Sequence, residues 1–249
     1  KIKEAQAISP DYYMVPPIDR RLTVESDRFS ELSNMFAQAG NLERALEYAL
    51  RCADIEKQVA GKEHIWYGNS TIIIGNLYYA LGDSINAEEN YLINKNICKH
   101  TYGEYSERYV DALLSLASVN TDFSMKDGLD KATRYLDEAY SIAHKRYPLL
   151  EAQIVNQQSV IAFRNKNYEQ AKTLMMQALS LCELAEGKTS NNYEILLSNT
   201  IDLYQMFGQY DEAITLGQDF LEACNQANRS DSIPAFIMVK ISQANIAKG

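Results

Sequence analysis

The chain has 249 residues, of which 46% are hydrophobic and 23% are charged, so it can bury a core and is neither disordered nor collagen-like. Only 5 prolines and 11 glycines occur, too few turn residues for a fold of many short strands. Lys and Arg total 24 against 33 Asp and Glu, and the formal net charge of -9 repels the phosphate backbone of nucleic acids. We therefore expect long helices and no nucleic-acid partner.

The first 25 residues are predicted to be a lead-in without the apolar core of a signal peptide. No stretch of the chain reaches the roughly 18 consecutive apolar residues that a transmembrane helix needs. We therefore expect no membrane insertion and favour a cytoplasmic location. Export stays open, because the chain begins at Lys1 rather than at a methionine.

From residue 26 onward, the sequence repeats with a period of about 42 residues. Gly61, Gly103 and Gly187 are each followed six residues later by a tyrosine. The second helical pattern of each repeat carries an alanine near its start. These alanines, at spacings of 42, 45, 39 and 42 residues, are Ala45, Ala87, Ala132, Ala171 and Ala213. The period predicts five stacked helix pairs, at approximately residues 26–67, 68–109, 110–151, 152–193 and 194–232.

Within each repeat, a short turn separates two helical patterns. The first pattern ends at a glycine in repeats 1, 2 and 5, namely Gly40, Gly82 and Gly208, because glycine enters the left-handed backbone region at little cost. The second pattern opens with an acidic residue such as Glu43, which the helix dipole favours at that end. Its alanine, Ala45 in the first repeat, is expected where two helices approach closely.

Residues 233–249 are predicted to form an eleventh helix, capped by Ser232 with Pro234 in its first turn. This helix is either a terminal cap or the start of a further repeat. Its segment 233–241 is apolar on nearly every face, whereas a terminal capping helix presents a polar outer side. We therefore expect something to cover it: a further repeat or domain, or a second copy of the chain in a homodimer.

Three of the four cysteines follow the same spacing, since Cys98, Cys182 and Cys224 are 84 and 42 residues apart. A recurring position indicates small buried hydrophobic residues rather than a disulfide framework. Trp66 is the only tryptophan and stands just before a first helix, where we expect it to pack between repeats 1 and 2.

The sequence lacks the motifs that usually carry chemistry. It contains no phosphate-binding loop, no nucleophile elbow and no paired CxxC motif. Its histidines, His64, His100 and His144, fall near linkers or helix ends and far apart in sequence, as capping or surface residues do. We therefore expect no enzyme activity, no catalytic residue, no cofactor and no metal site.

The second repeat carries a recognisable set of small, aromatic and glycine residues: Ile74, Gly75, Tyr78, Gly82, Ala87 and Tyr91. At these positions the sequence resembles the tetratricopeptide repeat, and the other four repeats match it with more substitutions. The period of 42 rather than about 34 residues resembles the kinesin-light-chain type of this repeat. The linker at residues 61–64 leading to Tyr67 also resembles that type, although Ile65 stands where a proline is common. Similar arrays lie ahead of CHAT peptidase domains and of bacterial signalling domains.

The resemblance implies an all-α fold, a right-handed superhelix of antiparallel helix pairs with about eleven helices. The first helix of each pair would line its concave face. It also implies a non-catalytic scaffold that binds protein or peptide in the concave groove. An alternative stays open, in which the chain is the N-terminal sensory or regulatory segment of a larger enzyme or signalling protein, such as a CHAT-type peptidase or a kinase.

The repeat register places equivalent residues of the first helices 42 positions apart, and these residues are the candidates for partner binding. Amide side chains can pair with the backbone of a bound peptide, and an apolar strip in the middle repeats can accept its side chains. The candidates are Asn34, Ile72, Asn76, Tyr79, Leu114, Asn156, Val160, Phe163, Arg164, Asp202 and Gln205. The same face is made acidic by Asp27, Glu31, Asp111, Asp122 and Asp202.

The expected partner is therefore a protein or peptide with apolar anchors and some basic character. The alternative for the apolar strip is contact with a neighbouring molecule or with the chain's own N-terminal segment, which contains Tyr12, Tyr13, Met14 and Val15.

Overall fold

The computed structural model describes residues 20–123, 127–227 and 235–248. Within these ranges the secondary structure consists of eleven α-helices and contains no strand, which confirms the all-α class and the expected number of helices. The helices are α1 (Arg20–Gln38), α2 (Leu42–Val59), α3 (Ile65–Ala80), α4 (Ser84–Tyr102), α5 (Glu107–Asp122), α6 (Gly128–Ala143), α7 (Pro148–Arg164), α8 (Tyr168–Glu186), α9 (Asn191–Met206), α10 (Tyr210–Gln226) and α11 (Ala235–Lys248).

The chain divides into two compact units, unit 1 (Lys1–Tyr135) and unit 2 (Leu136–Gly249), with the boundary inside α6. In unit 1, each helix from α1 to α4 contacts its successor. In unit 2, each helix from α7 to α10 contacts its successor, and α11 also contacts α9. Because these helices pack against helices close to them in sequence, both units have the architecture of a helical repeat fold.

The repeat-marking alanines are buried. Ala45, Ala87, Ala132 and Ala213 are 0% exposed, and Ala171 is 1% exposed. Burial at these five positions agrees with the expectation that they lie at helix contacts.

The cysteines are buried in the helix contacts as expected. Cys98, Cys182 and Cys224 are buried, together with Cys52, and all four thiols are free. Burial raises the pKa of the Cys98 thiol to about 11, so the thiolate that would react or ligate is disfavoured. These residues act as small hydrophobic side chains.

A recurring side-chain cap starts the first helix of three repeats. Nδ1 of His64 accepts a hydrogen bond from the backbone N–H of Trp66 at the start of α3. At positions 42 and 126 residues later, the hydroxyls of Ser106 and Ser190 accept from the N–H groups of Tyr109 and Tyr193. These caps satisfy backbone donors that a helix start leaves open, and they fix where α3, α5 and α9 begin.

The turn between the two helices of a pair also recurs. Gly40, Gly82 and Gly208 have φ angles of 77°, 83° and 70°, which confirms them as left-handed helix terminators. The fourth repeat differs: Lys166 occupies the equivalent position with a φ of 63°. A side chain with a Cβ is strained in this region.

Two sequence expectations fall on residues outside the described ranges. They are the cap at Ser232 with Pro234, and the N-terminal segment that contains Tyr12 to Val15. α1 begins at Arg20, within the segment predicted to be a lead-in. None of the described helices combines the length and the apolar composition that crossing a bilayer requires.

Replacing Lys166 by glycine should stabilise the protein. Glycine removes the strain of the left-handed conformation but adds entropy to the unfolded chain, so we expect a net gain of about 0.5–1 kcal/mol in the free energy of unfolding. Urea denaturation monitored by circular dichroism measures it. The control is Asn165→Gly, one residue earlier at a φ of -78°, which should be destabilising. If both substitutions changed the free energy of unfolding equally, the backbone at Lys166 would not be strained.

Replacing Gly75 by alanine should destabilise unit 1. A Cβ on Gly75 would lie 2.5 Å from Cε1 of the buried Tyr91 ring, which has little room to move. The overlap outweighs the better helix propensity of alanine, so we expect a net loss of about 1–2 kcal/mol in the free energy of unfolding. Asn69→Ala, at an exposed site on the same helix, is the matched control and should leave the urea midpoint unchanged or slightly higher.

Candidate functional site

In unit 1, the predicted partner-binding residues lie on the first helices α1, α3 and α5. Asn34 on α1 and Asn76 on α3 are exposed, and Ile72 and Tyr79 on α3 are half-buried. Leu114 on α5 is only 6% exposed, because α5 buries side chains on more than one face. Of the predicted apolar strip in unit 1, Ile72 and Tyr79 therefore reach the surface and Leu114 does not.

The exposed part of α3 is held in place by internal hydrogen bonds. The hydroxyl of Tyr79 donates to the carboxylate of Asp122, and the Tyr79 ring meets Phe123 edge-on at 5.2 Å between centroids. The hydroxyl of Tyr91 donates to Oδ1 of Asn76 at 2.9 Å. Burial raises the pKa of Tyr91 to about 12, so its hydroxyl remains a donor at neutral pH. Asn76 and Tyr79 are thus presented in fixed orientations.

In unit 2, four predicted residues lie on α7. Phe163 packs against Tyr168 and Phe207, with ring centroids 5.6 and 6.4 Å away. Val160 and Asn156 are half-buried and Arg164 is exposed. Oδ1 of Asn156 is buried, so a bound chain would meet this oxygen only after a side-chain rotation. The face of α7 therefore offers Val160, Arg164 and part of the Phe163 ring.

The other two predicted residues of unit 2 lie on α9 and bind the chain's own last helix. The ammonium of Lys240 on α11 donates to the carboxylate of Asp202, and Nε2 of Gln205 donates to the backbone carbonyl of Lys240 at 2.9 Å. The Lys240 side chain is only 8% exposed, and its ammonium lies 4.7 Å from the centre of the Phe236 ring. Asp202 and Gln205 therefore fix α11 against α9.

Beside this contact, an open depression of about 400 Å³ lies between α9 and the first turn of α11. Its lining residues are Asn191, Glu194, Ile195, Ser198, Asn199, Asp202 and Phe236. Of these residues, only Asp202 is among the partner-binding residues predicted from the sequence. The signal was available in the repeat register, because Ile195 and Asn199 stand 168 residues, or four periods, after the acidic residues Asp27 and Glu31.

A smaller depression of about 220 Å³ lies in unit 1, where α1, α2 and the start of α3 meet. Trp66 forms one wall and Glu56 another, and the Trp66 ring meets His64 edge-on. Burial, with a smaller contribution from the charge of Asp27, raises the pKa of Glu56. Trp66 thus lines this depression together with residues of α1 and α2.

Among the described residues, no group of three or more His, Cys, Asp or Glu side chains is arranged to hold a metal ion. The histidines lie apart and have separate local partners or surroundings. His64 caps α3, His144 lies 2.7 Å from the buried Glu151 carboxylate, and His100 is exposed near the end of α4. The sequence predicted such capping and surface positions for the histidines.

Sequence comparison with known protein families finds a helical repeat in two segments of the chain. Two family models, each described as tetratricopeptide repeat, match residues 27–65 and 150–226. No curated protein sequence matches the chain.

Three solved structures illustrate the similarity of fold. A putative kinesin light chain with nearly identical TPR-like repeats from Podosopora anserina has a TM-score of 0.62 and 18% identity, over 84% of this chain and 97% of that one. BtubC (BKLC) from P. vanneervenii has a TM-score of 0.63 and 14% identity, over 92% and 87%. A Rap protein complexed with Competence and Sporulation Factor has a TM-score of 0.66 and 14% identity, over 81% of this chain and 54% of that one. Two segments of the chain thus match tetratricopeptide repeat models, and the chain shares the fold of these solved structures.

Proposed function

We propose that the chain is a non-catalytic scaffold of five tetratricopeptide repeats, with α11 as a cap or as the first helix of a sixth. It binds protein or peptide through the first helices α1, α3, α5, α7 and α9. The observation that carries the proposal is the surface of α3. Asn76 and Tyr79 reach solvent there, yet internal hydrogen bonds already fix them. Side chains that are ordered before binding lose little entropy when a partner arrives.

The chemistry of these helices fits an extended chain as the partner. The exposed amides of Asn34 and Asn76 can both donate to and accept from a peptide backbone without requiring one particular side chain. Ile72 and Tyr79 add apolar contact area on α3, and Val160 adds it on α7. A protein of the same fold has been solved as a complex, the Rap protein with Competence and Sporulation Factor, which supports partner binding on this architecture.

The charge of the first helices supports a partner with basic character. Asp27, Glu31 and Asp111 are exposed, and the whole chain carries a formal charge of -9. Two other acidic candidates are already engaged, since Asp122 accepts from Tyr79 and Asp202 pairs with Lys240. Complementary charge would mainly speed association and select against acidic partners.

A second candidate function is favoured by α11. Phe236, Met238, Val239 and Ile246 on this helix are all exposed, whereas helix faces in a solenoid are normally covered by the next helix pair. Such a face suits a larger assembly. The chain would then be a sensory or regulatory segment of a larger enzyme or signalling protein, or a homodimer through α11.

The scaffold proposal can be tested with a random dodecamer peptide display library selected on the wild-type chain. We expect enrichment of a peptide family. Synthetic members should bind at least about tenfold more weakly to one or more of three first-helix variants, because each removes contacts at a binding face. The variants are Asn76→Ala with Tyr79→Ala on α3, Val160→Ser with Arg164→Ala on α7, and Ile195→Ser on α9.

The matched control for these variants is Glu89→Ala with Asn96→Ala, two exposed sites on the second helix α4, which should bind like wild type. Circular dichroism and the urea midpoint verify that each variant is folded. The scaffold proposal would be refuted if no peptide were enriched, or if all three first-helix variants bound the selected peptides as tightly as wild type does.

The homodimer alternative makes a separate prediction about mass in solution. If α11 pairs with a second copy, light scattering should give a dimer for wild type. Val239→Lys with Ile246→Lys should then give a monomer, because two charges would be buried in the interface. Leu184→Lys, at an exposed apolar site on α8, is the control. A monomeric wild-type chain at all concentrations would rule out this homodimer.

A further inference from the structure

The depression of unit 1 that Trp66 lines, here called the Trp66 depression, has the size of a site for one side chain. Its volume of about 220 Å³ is below the range of about 300–1,000 Å³ that is usual for small-molecule pockets. Its lining residues come from α1, α2 and the first turn of α3. Because each of these helices packs against the next, the walls belong to one packed part of unit 1.

Part of the lining is apolar and held in place. Ile55 and Val59 on α2 line the depression together with Trp66, and all three are half-buried. The backbone N–H of Trp66 donates to Nδ1 of His64 at 3.2 Å, and the centroids of the two rings are 5.1 Å apart. Among aromatic rings, an indole attracts cations most strongly. These walls therefore suit a side chain with an apolar stem and a positively charged tip.

Two further lining residues carry negative charge, Asp27 on α1 and Glu56 on α2. The hydroxyl of Ser70 donates to Oε2 of Glu56 at 2.6 Å, so a neutral group orients this carboxylate without cancelling its charge. Burial raises the pKa of Glu56 most, the charge of Asp27 raises it further, and no cation of the described part of the chain offsets them. The ammonium of Lys57, the next residue, lies over the Tyr67 ring. A cation that entered the depression would stabilise the ionised form of Glu56.

We propose, building on the scaffold function above, that the Trp66 depression binds the side chain of a lysine or an arginine presented by a protein or peptide partner. The methylene groups lie against Ile55, Val59 and the indole of Trp66, and the charged tip lies near Asp27 and Glu56. Lysine and arginine are the side chains that cover apolar surface with their stems while their heads meet polar groups. The two carboxylates repel an acidic side chain, so charge complementarity selects a basic one.

The emission of Trp66 provides the readout, because it is the only tryptophan of the chain. The full chain is titrated with the peptide Gly-Ala-Lys-Ala-Gly, acetylated and amidated so that the lysine carries its only charge, at constant ionic strength. The matched probe has norleucine in place of lysine, which keeps the apolar stem and removes the charge. We expect half-saturation of the emission change at a concentration about fivefold lower for the lysine peptide.

Two charge-removing variants test the carboxylates. Glu56→Gln keeps the shape of the side chain and an oxygen that can accept from Ser70, so it should fold, and it should bind the lysine peptide about fivefold more weakly. Asp27→Asn should weaken binding only about twofold, because this side chain is exposed and solvent screens its charge. The control is Glu43→Gln, an exposed site in the first turn of α2, which should titrate like wild type. The urea midpoint of each variant verifies its fold.

Three results would overturn this assignment: equal binding of the lysine and norleucine peptides, no emission change with either, or wild-type binding of the lysine peptide by Glu56→Gln. If methylammonium chloride half-saturates the emission change at the same concentration as the lysine peptide, the depression is a general cation site and the side-chain assignment is wrong. The variants on α3, α7 and α9 test the scaffold function at residues that do not line this depression. A failure here therefore leaves the scaffold function standing.

Discussion

Close contact between neighbouring helices is the constraint on which the rest of this protein depends. A pair of amphipathic helices is too small to bury its own apolar side, so each pair must be covered by the pairs on either side of it. In this chain Ala45, Ala87 and Ala213 are fully buried, and an added Cβ on Gly75 would lie 2.5 Å from the Tyr91 ring, so some contacts admit only small side chains. Because the same contact recurs, the same residue types recur at the same spacing, and the sequence carries the period of about 42 residues.

The features that follow from this periodic contact are the ones that the sequence predicts well. The helices, the five repeat-marking alanines, three of the four buried cysteines and the left-handed glycines occupy repeated positions, so the pattern of one repeat predicts the others. Where a repeat has another residue at the glycine position, the backbone still adopts the left-handed conformation and that residue is strained. Lys166 adopts the left-handed conformation that glycine adopts at Gly82 and Gly208, because the preceding and following helices fix the turn between them.

The features that sequence reasoning missed depend on contacts made only once. Lys240 pairs with Asp202, 38 residues earlier in the chain. One period before these two positions stand Val160 and Ser198, so the repeat pattern does not predict the ion pair. Leu114 shares its register position with the half-buried Ile72 and Asn156 but is itself buried, because α5 buries side chains on more than one face. The caps Ser106 and Ser190 are a different case. They recur with the period, three residues before a tyrosine, and could have been found from the spacing alone.

The junction of α9 with α11 connects stability to binding. Asp202 lines the depression and also pairs with Lys240, and Phe236 forms a wall of the depression while lying over the Lys240 ammonium. The walls of the depression therefore keep their positions only while α11 is docked against α9. By mass action, any molecule that bound the docked arrangement in preference to the undocked one would stabilise the docked helix. Because linkage between two equilibria is reciprocal, a change that loosens Lys240 from Asp202 would weaken that binding.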